Sequence, residues 1–236
     1  YQAGTAVTTG VENTIMGGLA GDAMTDADRN VVVGYAAMTT NVLGSESVAI
    51  GTFALNAQNP ATAVSMYNVA VGHNTGAAIT TGVRNTLVGA IAGDALTTGE
   101  ENVAMGYGAL SLDDVGSHTV AIGPSVLAAQ NYATATNSFN TAVGSFAGYA
   151  VTTGVQNTLI GRGAGDALTD ADFNVAVGYA ALSTDTYGSK STALGYAALN
   201  TQNFTTATDT YNTAVGFKAG EAVTTGIKNT IVGGLA

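Results

Sequence analysis

Asn157-Thr158-Leu159-Ile160-Gly161 is a pentapeptide that this chain repeats with variations thirteen times. Copies begin at Asn13, Asn30, Ser47, Asn68, Asn85, Asn102, Thr119, Asn140, Asn157, Asn174, Ser191, Asn212 and Asn229. The spacings run 17, 17, 21 and 17 residues and then recur, so the larger period is 72. Internal repetition of this kind sets the architecture before any local propensity does: one short unit is stacked on itself.

Counting the first residue of each copy as slot zero, slot one is Thr or Val, and slots two and three are aliphatic. Slot four is Gly in all thirteen copies. Such a triplet closed by Gly predicts a short strand and a bend, with Gly161 and its counterparts either at positive φ or too close to a neighbouring backbone for a Cβ. A second apolar run, such as Tyr179-Ala180-Ala181-Leu182, and a polar turn, such as Thr152-Thr153-Gly154, complete the coil. Two strands and two turns in about 17 residues make a β-solenoid rung, whereas Gly at this density disfavours helix. The expected fold is all-β, a parallel β-roll of about thirteen 17–21-residue coils in 72-residue units.

Alternation along a strand puts slots one and three on one face and slot two on the other. Both faces are apolar, and none of the 65 residues in slots zero to four is charged. A solenoid of one chain buries only one of them. The other would be a ribbon ~60 Å tall at ~4.8 Å per rung, far beyond the apolar patches that soluble monomers expose. The simplest cover is a second copy around an axis parallel to the fibre. The expectation is an assembly of copies around that axis, with slot-three residues such as Val143, Ile160 and Val177 fully buried and stacked. The Asn that fills slot zero in ten copies suggests either a stacked amide ladder or a simple turn preference. Charges gather just before slot zero, at Glu12, Arg29, Glu46, Arg84, Glu101, His118, Lys190 and Lys228. That pattern marks an exposed turn where opposite signs on adjacent rungs can pair.

The chain reads as one repetitive fibre segment, 1–236. Full units cover 3–74, 75–146 and 147–218, a partial one covers 219–236, and Tyr1 and Gln2 close a preceding rung. Opening and closing in mid-repeat, it has the look of an excerpt from a longer fibrous protein. The third rung of each unit is longer, adding Gln58-Asn59-Pro60-Ala61-Thr62, Gln130-Asn131-Tyr132-Ala133-Thr134 and Gln202-Asn203-Phe204-Thr205-Thr206. Each insertion ends in an aromatic: Tyr67, Phe139 or Tyr211. These should bulge outward about every 19 Å, either as plain bulges or as a binding face.

Chemistry is sparse. The net charge is −10, and six basic residues spread over thirteen rungs exclude a nucleic-acid groove. There is no cysteine for a disulfide framework or thiolate metal site, and no apolar run long enough to span a bilayer. His118 near Ser117, Asp113 and Asp114 is the only gathering of triad-type residues, and crowding in sequence is not triad geometry. No enzymatic activity, cofactor or metal is expected. Asp22, Asp26 and Asp28, like Asp166, Asp170 and Asp172, have the density calcium uses, but without a known calcium-binding repeat they read as solvated turns. The Thr pairs at Thr8-Thr9, Thr80-Thr81, Thr97-Thr98, Thr152-Thr153 and Thr224-Thr225 skip most rungs, so no flat ice-binding array follows.

The runs from Asn174 to Leu182, from Asn140 to Gly144 and from Thr152 to Thr158 resemble repeats of bacteriophage tail fibres. They are also similar to the head repeats of trimeric autotransporter adhesins, which Ser47-Val48-Ala49-Ile50-Gly51 fits directly. The rungs here are longer than that family's usual coil. The resemblance implies a parallel homotrimer of left-handed β-rolls at a cell or virion surface. The function expected from it is that of the structural shaft of an extracellular or virion fibre, a filament involved in cell adhesion. The alternative is a module binding host glycan or receptor through the long-rung loops, with Tyr132 and Phe204 as stacking platforms.

Overall fold

A computed structural model describes residues 2–236, and Tyr1 lies outside the described residues. Among the described residues there is no helix. Thirteen three-residue strands, from Thr14–Met16 to Thr230–Val232, occupy slots one to three of successive rungs and form one parallel sheet in chain order. Pairing is in strict register: Thr158 lies beside Thr141 and Val175, Leu159 beside Ala142 and Ala176, and Ile160 beside Val143 and Val177. The chain is a parallel β-solenoid of about thirteen turns, so twelve steps of ~4.8 Å give a stack ~58 Å tall.

The core is on the slot-two side, and slot three, expected to be fully buried, lies on the opposite face, open in the single chain. Val32, Ala49, Leu87, Ala142, Leu159 and Ala176 are fully buried, whereas Ile160 is 39% exposed and Val143 and Val177 are half-buried. Both faces are apolar, so polarity could not choose between them. Size could: slot two is Ala in eight of thirteen copies, and the returning half of each coil leaves room for little more. That return contributes Ala at slot seven, Leu, Met or Gly at slot eight and a further buried residue at slot eleven, as in Ala164, Gly165 and Leu168.

The four rungs with Ile or Leu at slot two are accommodated by glycine across the core. A Cβ on Gly148 would stand 2.7 Å from Leu127 Cδ2 and Leu159 Cδ1, and one on Gly165 would stand 2.8 Å from Leu159 Cδ2. Large and small residues thus interlock across a narrow core.

The second apolar run is a turn, not the strand expected. Ala180 and Leu182 have φ of 52° and 54°. Alternating left-handed residues curl the chain while its amides still bond to neighbouring rungs, as Leu182 N–H does to Ala198 O at 3.0 Å. The residue before slot zero is also left-handed in every rung, from Glu12 at 60° to Lys228 at 60°. Slot four behaves as expected on both counts: Gly34 has φ 139°, and a Cβ there would lie 2.5 Å from Gly51 O.

The slot-zero asparagines form the ladder and are buried in all but the two terminal rungs. Asn157 Nδ2 donates to Ala171 O of its own coil at 2.8 Å, and Asn157 Oδ1 accepts the backbone N–H of Asn174 at 2.9 Å. Each amide therefore closes one turn and ties it to the next. In the long rungs slot zero is Ser or Thr, and the inserted glutamine reaches inward instead. Gln130 Nε2 donates to Asp113 Oδ2 and Thr119 Oγ1 at 2.7 and 3.1 Å, and its Oε1 accepts Asn140 Nδ2 at 2.9 Å. Only part of the insertion bulges. Ala133 and Thr134 are exposed, but Gln130 and Tyr132 are buried. Short parallel pairs of strands, Gly44–Ser45 with Val64–Ser65 and their equivalents at Gly116–Ser117 and Gly188–Ser189, fasten the base of each bulge.

Candidate interaction surface

Most of the reactive side chains singled out in the sequence are occupied in holding rungs together. His118 Nε2 meets Glu101 Oε2 at 3.1 Å, and its ring lies against Phe139 with centroids 5.2 Å apart. Ser117 Oγ instead accepts the N–H of Glu100 at 3.0 Å, and Asp113 is bonded to Gln130 and to Gly116 N–H. His118, Ser117 and Asp113 therefore do not form a relay.

The acidic turns are partly engaged: Asp26 Oδ1 accepts Thr9 Oγ1 at 2.6 Å, and Asp28 and Asp172 each accept a backbone N–H from the rung below at 2.8 Å, whereas Asp22 and Asp166 each keep one buried oxygen without a partner. Among the described residues no three acidic or histidine side chains converge as a metal cage. In four of the five pairs the first threonine turns its hydroxyl to the next rung, as Thr152 Oγ1 does to Thr169 O at 3.2 Å.

Tyr132 and Phe204, the aromatics expected to serve a ligand-binding loop, are 5% and 8% exposed. Tyr132 OH donates to Gly154 O at 3.0 Å, and burial pushes its phenol well above the ordinary range. Their apolar rings fill the space that the extra residues open, so they are not stacking platforms. Gln58, Gln130 and Gln202 are equally buried. A shallow depression of ≈ 230 Å³ lined by Ser111, Leu112, Ala128, Ala129 and Tyr149 is smaller than ordinary ligand pockets.

What the chain does present is a face. Slots one and three of all thirteen strands point away from the core as two uninterrupted columns of Val, Thr, Ile, Leu and Met. Two further columns border them. Slot five carries exposed aromatics, and in the last unit these stack: Tyr179 on Tyr196 at 5.2 Å and 7°, Tyr196 on Phe217 at 5.1 Å and 14°, with Arg162 5.5 Å from the Tyr179 centroid.

The other border, just before slot zero, is the charged and aromatic column. Arg29 pairs with Glu46 at 2.8 Å, Arg84 with Glu100 and Glu101 at 2.9 and 2.8 Å, and Lys190 with Asp209 at 2.5 Å. Hydrogen bonding to Tyr67 and to the Arg29 guanidinium holds the Glu46 carboxyl below the usual range. These pairs are exposed and screened by solvent, so they do not hold the stack together.

Twelve of the fifteen aromatic side chains among the described residues are exposed. The signal for this surface was already in the sequence, in the odd slots, as one of two apolar faces. No family model, curated protein or solved structure matches the chain.

Proposed function

We propose that the chain is a segment of the structural shaft of an extracellular or virion fibre serving attachment to a cell surface, assembled as a parallel homotrimer. One observation carries the reading: an uncharged aliphatic sheet face extends over all thirteen rungs and stays open in the single chain. Faces of this size are covered in soluble proteins, and a second copy has the same rung height along its whole length. The solenoid itself supports a spacer role, since neither a cleft of substrate size nor a relay of catalytic groups interrupts its repetition among the described residues.

The experiment is light scattering of the refolded chain over a range of concentrations. A mass about three times 23.3 kDa is expected, with melting that depends on protomer concentration. A compact, soluble particle of single-chain mass would overturn the reading. Negative-stain images of the intact source particle test the setting: the filament should project from an envelope or a tail.

A further inference from the structure

Resting on that reading, we infer which surfaces meet: copies run parallel and in rung register, each pressing its slot-one and slot-three face toward the shared axis. The column before slot zero of one copy then lies along the slot-five column of the next.

The geometry follows from symmetry. In any closed ring of parallel copies, the leading edge of one sheet face adjoins the trailing edge of its neighbour at the same height. The two edge columns are therefore paired rung by rung, and in four rungs the facing residues match. Arg29 falls opposite Tyr35 and Lys190 opposite Tyr196, a cation beside an exposed ring in each case. Phe173 falls opposite Tyr179 and Tyr211 opposite Phe217, aromatic beside aromatic.

Only two rungs carry a basic residue at slot five, His73 and Arg162. Their opposites are Tyr67 and Gln156, so no rung sets like charges together. Rung register itself follows from the rotation axis, which holds parallel copies at one height. The area suffices as well. A face ~58 Å tall, and ~20 Å wide from edge column to edge column at ~3.3 Å per residue, covers ~1,100 Å² per copy, above the ~800 Å² of an ordinary stable interface.

The chain has no cysteine, so engineered pairs can read the contact directly. Phe173→Cys with Tyr179→Cys places thiols on the two edges of a single rung, and Lys190→Cys with Tyr196→Cys repeats the test one rung higher. All four parent side chains lie on the surface rather than in the core. Within one chain the two positions are separated by the width of the sheet face, too far for a disulfide, which needs Cα atoms within ~7 Å.

Under mild oxidation of dilute protein, each double variant should yield covalent multimers no larger than the mass seen by light scattering. The single variants should stay monomeric on denaturing gels. The offset pair Phe173→Cys with Phe217→Cys, two rungs out of step, should cross-link at least about tenfold more slowly, because its thiols stand ~10 Å apart in height. A multimer whose in-register double variants fail to cross-link would sink the inferred face while leaving the shaft reading intact. Cross-linking of the single variants would sink the parallel arrangement in the same way. A monomer in solution overturns both.

Discussion

At the scale of single residues the fold depends on where small side chains stand. Leu159 fits only because Gly148 and Gly165 leave space for its two methyl groups. Neither rung can collapse around a void, since both are bonded to neighbours above and below. Leu159→Ala should therefore cost about 2–5 kcal/mol in a urea melt. A cost below ~1 kcal/mol would mean that the core is looser than this.

Asp113 is a second residue-scale test. It is fully buried where the first unit has Asn41, whose Nδ2 donates to Gly44 O at 2.7 Å. Burial pushes the Asp113 carboxyl above the usual carboxylate range, with Asp114 adding to the rise and the Gln130 and Gly116 hydrogen bonds opposing it. A raised native value means that the fold prefers the protonated acid. Its contribution is thus complete below the ordinary value near 3.8 and is lost as pH climbs through the raised one. Asp113→Asn should stabilise the chain at pH 7, and the gain should vanish on acidification. An equal effect at both pH values would refute the titration.

Much of the rung was legible in the sequence at this scale: the strand triplet, the slot-four bend and the exposed site before slot zero. The choice of inner face was not, because alternation separates two faces without saying which is in, and both were apolar. The alanines of slot two held the answer, since a coil of 17 residues encloses too little volume for a wall of Val and Ile.

Among the elements, the polar ladder does what a second sheet does in wider solenoids. Asn157 alone satisfies a carbonyl of its own turn and an amide of the next rung. Asn157→Ala would leave both buried without partners, at about 1–3 kcal/mol each. The long rung replaces this device with another, so Gln130→Ala should cost a similar amount, because Asp113 Oδ2 and Asn140 Nδ2 both lose their contact. Amide exchange should show protection falling first at Asn140 and its neighbours. Unchanged protection there would count against the glutamine bridge.

The Asn spacing made the ladder readable, but the glutamines were taken for loop residues. The missed clue is that Ser or Thr enters slot zero only in the rungs that carry a buried Gln, so the two changes compensate. Tyr132 and Phe204 were misjudged for the same reason. An insertion was assumed to move wholly outward, whereas four added residues also widen the rung and need filling from within.

For the molecule as a whole, the surface left open matters more than the core. Ile160→Asp falls on the open face. It should spare the secondary structure of each chain and weaken association at least about tenfold, or ~1.4 kcal/mol, moving the light-scattering midpoint to higher concentration. Loss of all structure in that variant would mean that chains cannot fold apart.

The left-handed residues before slot zero and at slots six and eight have another consequence. Outside glycine each costs roughly 1–2 kcal/mol of local backbone preference, so no rung persists without a finished rung beside it to supply its bonds. Growth should then resemble crystallisation: a slow nucleus of several coils, followed by rapid zippering from either end. Refolding should show a lag that pre-folded fragments of the same repeat abolish, and unfolding and refolding curves should fail to superimpose on ordinary timescales. A fibre built this way resists dissolution kinetically, since it has to be unwound from its tips.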